Sequence, residues 1–198
     1  MYRVFDVLTS RFPNFLWEGC ASGGGRLDPG VLQYFPNIRT SDEMDPLDRI
    51  YIQFGTTVAY PASCIGANIA ASPSHVSGRV TPISFRAHVA MMGGNPGIQL
   101  DPSEIPAKEK DLVPGLIRLA EKVAPIIVQG DLWRLQLPEE SNFPAAIFVS
   151  EDKRQAVLFA FQIRKVVSHN FPILRLQGLE EGACYTWSMN KGPAPALR

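Results

Sequence analysis

The sequence predicts an α/β region over residues 1–124 followed by an all-β region over residues 125–198. Two observations support this division. Between residues 15 and 124, a short apolar run followed by a helix start occurs four times, which is typical of strand–helix units on a parallel sheet. After residue 125, β-prone apolar runs are separated by polar turns, which favours an antiparallel sheet.

Four strands with their helices are predicted in the first region. The predicted strands are Phe15–Trp17, Asn37–Thr40, Ile65–Ala70 and Gly97–Leu100. The predicted helices follow Asp28-Pro29, Asp45-Pro46 and Asp101-Pro102, or cover Pro82–Met92 and Lys108–Val123. Residues 2–12 are predicted to be the tail of an earlier helix, so the chain is expected to enter the fold in mid-pattern.

The segment after Asp45 is the best-marked helix. Asp is a favoured N-cap because its carboxylate accepts a free backbone N–H, and Pro suits the first helical position. Asp48 stands at the third helical position, much as in a capping box. An apolar stripe with helical spacing follows, and Gly55 is predicted to end the helix.

Five strands of an antiparallel sheet are predicted in the second region. They are Pro125–Leu137, Pro144–Ser150, Gln155–Val167, Pro172–Leu179 and Ala183–Trp187. Residues 188–198 are predicted to be an unstructured tail.

Composition limits the classes of function. The 198 residues include 19 basic and 19 acidic side chains with no basic cluster, which argues against a nucleic-acid partner. The longest apolar runs are about six residues, which argues against a membrane span. The first residues lack the apolar core of a signal peptide, and three cysteines cannot all pair, so the compartment stays open. No metal site is predicted, because the histidines and cysteines lack metal-ligand spacing.

Two predicted strand ends carry groups suited to chemistry. Cys20 opens a glycine-rich loop whose backbone a ligand can approach closely, although a tight strand-to-helix turn explains this loop equally well. Asp42 follows the second strand and is not needed as a helix cap, because Asp45 has that role. Its carboxylate is therefore available at the carboxyl end of a strand, where barrel enzymes place their active sites. The alternative is a solvated loop residue.

The sequence evidence for a functional role is weaker at other residues. Glu18 and Asp42 form a candidate carboxylate pair for acid–base chemistry on sugars, and the alternative is that Glu18 hydrogen-bonds polar groups inside the fold. Cys20 acting as a nucleophile with His75 or His88 as base has no supporting signature. His88 is predicted to be a hydrogen-bonded helical histidine.

The remaining cysteines and tryptophans are assigned mainly to packing. Cys64 and Cys184 are predicted to be small core residues. Trp133 and Trp187 are predicted to pack in the core or between domains, while Trp17 could stack on a sugar.

Several segments have a combined spacing that is more specific than any one of them. They are Trp17–Arg26, Asp28–Gly30, Thr40–Asp42 with Asp45 and Arg49, Gln53–Thr56, Arg86–Gly94 with Gly97, Leu100-Asp101, Gln155–Phe161 and Leu174–Leu179. Together they resemble the C-terminal half of an α-galactosidase of glycoside hydrolase family 36, over nearly the whole chain.

The resemblance implies the second half of a (β/α)8 TIM barrel followed by a C-terminal antiparallel β-sandwich domain. It implies retaining hydrolysis of terminal α-galactosyl residues of melibiose- and raffinose-type oligosaccharides. By the same resemblance Asp42 is the acid/base, Cys20 lies against the bound galactose, and the backbone of Ser22 and Gly23 is nearby. Glu18 is included among the substrate-binding candidates. The family needs no cofactor, and the complete parent enzyme is expected to be a homo-oligomer.

Two departures from the family pattern stand out. Arg39 replaces the aromatic residue that often precedes Thr-Ser-Asp, and no Lys-Trp-Asp element supplies the nucleophile. A retaining enzyme needs two carboxyls about 5–5.5 Å apart, so the isolated chain is expected to be an inactive fragment. The alternatives are a galactosyltransferase of the raffinose-synthase kind and a non-catalytic, galactose-binding or self-associating half-barrel.

Overall fold

The computed structural model describes residues 1–20, 22–23, 25, 27–94, 96–165 and 172–189. The α-helices within these ranges are α1 (Tyr2–Arg11), α2 (Pro46–Ala59), α3 (Ile83–Met91), α4 (Ala107–Lys110) and α5 (Val113–Gln129). The strands are β1 (Glu18–Gly19), β2 (Asn37–Arg39), β3 (Ile65–Gly66), β4 (Asn68–Ala70), β5 (Gly97–Gln99), β6 (Asp131–Gln136), β7 (Ala145–Val149) and β8 (Ala156–Ala160).

Parallel pairing organises the first region. β2 pairs with β1 and with β3, and β4 pairs with β5, always in parallel. Only Ala67 separates β3 from β4, so a single run of chain pairs first with β2 and then with β5. The parallel pairing predicted for this region is confirmed, but β1 is followed by a 3₁₀ turn and not by an α-helix. The carboxyl ends of the parallel strands lie at one edge.

The first strand is shifted from its predicted position. β1 lies at Glu18–Gly19, directly after the predicted run Phe15–Trp17. Phe15 and Leu16 are 66% and 94% exposed. The position of the strand is set by its pairing with β2, in which Glu18 stands opposite Asn37. The greater hydrophobicity of Phe15–Trp17 does not shift the strand to that segment.

The helix α2 is capped as predicted and ends later than predicted. Asp45 accepts a hydrogen bond from the Leu47 N–H at 2.9 Å, so the predicted cap is confirmed. The backbone N–H of Asp45 donates to Glu43 Oε1 at 2.7 Å, so Asp48 does not complete a capping box. Gly55 does not end the helix, which continues to Ala59; a helical glycine costs only about 1 kcal/mol, and Gln53 and Phe54 just before it are buried.

The other two Asp-Pro pairs do not open an α-helix directly. Asp28 Oδ1 accepts from the Val31 N–H at 3.1 Å, and only a 3₁₀ turn over Val31–Gln33 follows. Asp101 Oδ1 accepts from the Ser103 N–H at 2.7 Å, and α4 begins several residues later. In both places the aspartate closes a local turn, which an N-cap sequence permits equally well.

The helix α5 extends beyond its predicted end. It continues past Val123 and through Pro125 to Gln129. Proline removes one helical hydrogen bond, but Ile127 beyond it is buried in the core, and that burial favours continuation. The strand predicted from Pro125 therefore begins only at Asp131. The predicted boundary after residue 124 falls inside this helix, and that boundary stays a prediction.

The second region contains one antiparallel sheet in the described residues, with strand order β6-β7-β8. The central strand β7 is buried along its whole length. The strands predicted at Pro172–Leu179 and Ala183–Trp187 are wrong, since neither segment forms a strand. Instead, Gly178 lies so close to the Trp133 indole that a Cβ there would come within 2.2 Å of Nε1. Residues 190–198 of the predicted tail lie outside the described residues.

One hydrophobic core connects the two regions. It includes Ile50 and Phe54 of α2, Ile127 of α5, and Phe148 and Phe159 of the antiparallel sheet. The Phe148 and Phe159 rings meet edge to face with their centroids 5.9 Å apart. Among the described helices, none is long and apolar enough to cross a membrane.

The cysteines and tryptophans that were predicted to pack in the core differ in their exposure. Cys64 is buried, as predicted. Cys184 is exposed, and Trp187 is 80% exposed, so both predictions of core packing are wrong. Trp133 is 40% exposed and is covered in part by Gly178.

Candidate active site

A polar cluster joins Glu18 of β1 to the carboxyl ends of β2 and β5. Arg39 Nε lies 3.7 Å from Glu18 Oε1, and Arg39 Nη1 donates to Gln99 Oε1 at 3.1 Å. The Glu18 side chain remains about half exposed, at 54%. Arg39 therefore lies close enough to balance the charge of the Glu18 carboxylate.

The turn between β2 and α2 carries Asp42 on a series of hydrogen bonds. The Ser41 hydroxyl accepts from the Glu43 N–H at 3.0 Å, and the Glu43 carboxylate accepts from the Asp45 N–H at 2.7 Å. Asp45 in turn accepts from the Leu47 N–H at 2.9 Å. Alternate residues thus hold the backbone, while the Asp42 side chain between them is exposed.

The glycine-rich loop packs directly on this turn. Ser22 and Gly23 both have left-handed backbone conformations, with φ of 49° and 67°. A Cβ at Gly23 would lie 2.8 Å from the backbone nitrogen of Asp42 and 3.2 Å from Ser41 Cα. Only glycine allows this approach, so the two predicted site segments meet at Gly23 and Asp42.

The thiol of Cys20 is exposed and free. Cys20 and Glu18 line the same small cavity of about 150 Å³, whose wall also contains Phe35 and Ile38. The predicted site residues therefore lie in or directly after the adjacent parallel strands β1 and β2, and the loop after β1 contacts the turn after β2.

Arg49 lies behind the Asp42 turn and is only 3% exposed. Its Nη2 donates to Thr40 Oγ1 at 3.3 Å and to the Gly66 carbonyl at 3.4 Å. Within the described residues its Nε and Nη1 have no hydrogen-bond partner. Burial, followed by repulsion from Arg39, lowers the pKa of Arg49 to about 10. The guanidinium ties the start of the turn to β3.

Sequence reasoning missed the loop between β4 and α3. Ser77 Oγ donates to Asp45 Oδ2, and Arg79 Nη1 donates to Asp45 Oδ1. The Asp45 side chain has no exposed surface. Burial alone would raise the pKa of Asp45, but hydrogen bonds from Ser77, the Leu47 amide and Arg79 outweigh it and lower that pKa. Ser77 and Arg79 are 32 and 34 residues from Asp45 in the sequence, and no local sequence motif predicts such a contact.

His88 differs from its prediction. It lies in the last turn of α3, and its Nε2 is buried without a hydrogen-bond partner in the described residues. Burial lowers the pKa of His88, because a protonated imidazole loses hydration there. The predicted hydrogen-bonded histidine is therefore wrong.

Two family models of glycoside hydrolases match the chain. Residues 1–130 match the model described as Melibiase, and residues 143–194 match the model of the glycosyl hydrolase family 36 C-terminal domain. The first match covers well over half of the chain. The chain belongs to the melibiase family of glycoside hydrolase family 36.

Curated relatives share this sequence over most of its length. Probable alpha-galactosidase G of Emericella nidulans is 62% identical over 184 residues, which is 93% of this chain and 25% of that protein. Alpha-galactosidase 2 of Hypocrea jecorina is 61% identical over 185 residues, again 93% of this chain and 25% of that protein. The chain thus spans about a quarter of the length of these relatives.

Solved structures share the fold. A variant of the family 36 alpha-galactosidase AgaA from Geobacillus stearothermophilus, in complex with raffinose, superposes with a TM-score of 0.87 at 40% identity. The match covers 90% of this chain and 25% of that one. Another AgaA variant, in complex with 1-deoxygalactonojirimycin, gives a TM-score of 0.88 at 40% identity, covering 91% and 25%. The described fold corresponds to part of the barrel with the C-terminal β-domain.

Proposed function

We propose that this chain is the C-terminal part of a retaining α-galactosidase that removes terminal α-galactosyl residues from melibiose- and raffinose-type oligosaccharides. The contact between Gly23 and the Asp42 backbone carries the proposal, because it joins two of the segments that resemble the family. The relatives at 61–62% identity are alpha-galactosidases by name, and an AgaA variant was solved with raffinose.

Asp42 is the proposed acid/base. In the first step its carboxylic acid protonates the glycosidic oxygen as that bond breaks, and in the second step its carboxylate takes a proton from the attacking water. The hydrogen bonds of Ser41, Glu43 and Asp45 fix the backbone on both sides of Asp42 and leave its side chain exposed. This combination of a fixed backbone and a free carboxyl suits proton transfer to a bound substrate.

The loop after β1 is the proposed galactose site. Cys20 would lie against the sugar, and the backbone of Ser22 and Gly23 would contact its hydroxyls. Glu18, whose carboxylate is paired with Arg39, would accept hydrogen bonds from the same sugar. Both the position of these residues on adjacent parallel strands and the left-handed turn at Gly23 support the assignment.

The nucleophile is proposed to lie in the remainder of the parent protein, on an earlier barrel strand. A retaining mechanism needs a second carboxylate about 5–5.5 Å from the first, and this chain has no Lys-Trp-Asp element. The full proposal is a second half-barrel over residues 1–124, a β-sandwich domain over residues 125–198, and a homo-oligomeric parent that uses no cofactor. The isolated chain is accordingly proposed to be inactive.

The test is Asp42→Asn in the parent protein, with the exposed Asp111→Asn as control. Because general acid catalysis contributes on the order of 10²–10⁴-fold, kcat on raffinose should fall by about that factor. The kcat/KM for p-nitrophenyl α-galactoside, which reports only formation of the glycosyl-enzyme, should fall much less, since its leaving group needs little protonation. An unchanged rate on raffinose would refute the acid/base assignment.

Azide provides a second readout with Asp42→Ala. A retaining enzyme that lacks its acid/base carboxyl cannot activate water, but azide needs no such activation. Azide should attack the anomeric carbon of the glycosyl-enzyme, release the nucleophilic carboxylate and give α-galactosyl azide. Formation of β-galactosyl azide would contradict the retaining mechanism with Asp42 as acid/base. So would a variant that stays fully active and forms no galactosyl azide.

A further inference from the structure

Asp42 lies on a turn whose far end is held from outside by a separate loop. Each hydrogen bond of the turn links one side chain to the amide two residues on, and Asp45 is the last acceptor in the series. A displacement of Asp45 would therefore pass through Glu43 to the peptide groups beside Asp42.

The buried charge of Asp45 requires partners. A carboxylate without exposed surface is costly unless it is paired and hydrogen-bonded. Its partners here are the Leu47 amide, the Ser77 hydroxyl and the Arg79 guanidinium. Two of the three come from the loop between β4 and α3. We call Asp45, Ser77 and Arg79 the Asp45 clamp.

The loop that provides these partners is itself closed. The Ser74 N–H donates to the Arg79 carbonyl at 2.9 Å, and the Gly78 N–H donates to the Ser74 carbonyl at 2.8 Å. The Arg79 N–H also lies 3.2 Å from Ser77 Oγ. Because the loop holds its own shape, its two side chains present a fixed anchor to Asp45.

We propose that Ser77 and Arg79, acting through Asp45, are positioning residues that hold Asp42 where it donates its proton to the leaving oxygen. This inference rests on the proposed function of Asp42. It assigns to the loop between β4 and α3 a role in the acid step of the reaction and no contact with the sugar. Misplacing a proton donor by a fraction of an ångström lowers the rate of the step that needs it most.

The experiment compares Arg79→Ala with wild type in the parent protein on two substrates. On raffinose, whose leaving group needs protonation, kcat should fall by about tenfold or more, with KM changed less than about twofold. On p-nitrophenyl α-galactoside, kcat/KM, which reports only formation of the glycosyl-enzyme, should fall less than about threefold. A purely structural role would lower kcat/KM by the same factor on both substrates, so the ratio of the two losses in kcat/KM is the measurement.

Further variants guard against simple misfolding. Ser77→Ala removes only the hydroxyl that donates to Asp45 and should give a smaller loss with the same preference for raffinose. Arg79→Lys keeps a cation beside Asp45 and should recover part of the raffinose rate. Asp48→Asn is the matched control, because Asp48 touches Arg79 at 3.5 Å on the surface and lies outside the clamp; its two rates should stay within about twofold of wild type.

The outcomes separate the two proposals. Equal losses on both substrates, or no loss on raffinose, would overturn the positioning role while leaving the proposed hydrolase intact. A wild-type parent that is inactive on both substrates would overturn the proposed function and this inference with it. A loss confined to raffinose, seen in Arg79→Ala and in Ser77→Ala, would support the clamp.

Discussion

Substituting Gly23 by alanine tests whether the glycine-rich loop sets the position of Asp42. Gly23 has φ of +67°, so an L side chain there costs about 1–2 kcal/mol of backbone strain. The new Cβ would also lie 2.8 Å from the Asp42 nitrogen, where ordinary contact begins at 3.4 Å. The Asp42 backbone would therefore have to move by about 0.6 Å.

That displacement has a predictable effect on rate. A misplacement of about 1 Å can cost on the order of 10²-fold in catalysis, so about 0.6 Å should lower kcat on raffinose by about tenfold or more. The assay is steady-state turnover of raffinose by Gly23→Ala in the parent protein, together with its melting temperature. The strain should lower the Tm.

A matched control separates strain from displacement. Gly182 has φ of +78°, but a Cβ there meets nothing within 4 Å. Gly182→Ala should therefore share the cost in stability and keep the wild-type rate. If Gly23→Ala turned over raffinose at a rate within about threefold of Gly182→Ala, the inference that this contact fixes Asp42 would be refuted.

Two further predictions concern stability, both measured by urea unfolding of the chain. Phe148, 1% exposed, lies in the shared core, so Phe148→Ala should lower the free energy of unfolding by about 3–5 kcal/mol, whereas Val58→Ala at a 71% exposed site should change it by less than about 0.5. A loss below about 1 kcal/mol at Phe148 would contradict a core shared by the two regions. Burial lowers the pKa of His88 below 6.5, so the unfolded chain binds more protons just below that pH and stability should fall as pH drops from about 7 to 5. His88→Gln should remove this part of the pH dependence, and equal slopes in variant and wild type would show that His88 does not cause it.

Local sequence determined the elements with strong end signals. The Asp45 cap, the parallel pairing of the first region and the strands β6, β7 and β8 follow from capping chemistry and from short apolar runs. Asp42 could be selected because Asp45 already supplies the cap, which left an unassigned carboxylate after a strand. These inferences depend on interactions between residues a few positions apart, and a sequence displays such interactions directly.

The ends of the helices and strands, in contrast, were determined by tertiary packing. Gly55 and Pro125 both disfavour a helix locally, yet α2 and α5 pass through them; Gly55 directly follows the buried Gln53 and Phe54, and Ile127 is buried beyond Pro125. The apolar run Pro172–Leu179 forms no strand, since Gly178 packs on Trp133 instead of pairing along a sheet edge. In each case burial against distant residues outweighs a local preference of about 1–3 kcal/mol.

The features of the candidate site also fall into those that the sequence predicts and those that depend on the tertiary structure. The sequence by itself identified Glu18, Cys20 and Asp42 as residues suited to chemistry, because residue type and position after a strand are local properties. Only the tertiary structure decided that Gly23 touches the Asp42 backbone and that Arg79 reaches the buried Asp45. Those contacts join segments about 20–35 residues apart through the register of parallel strands, and that register is a property of the folded chain as a whole.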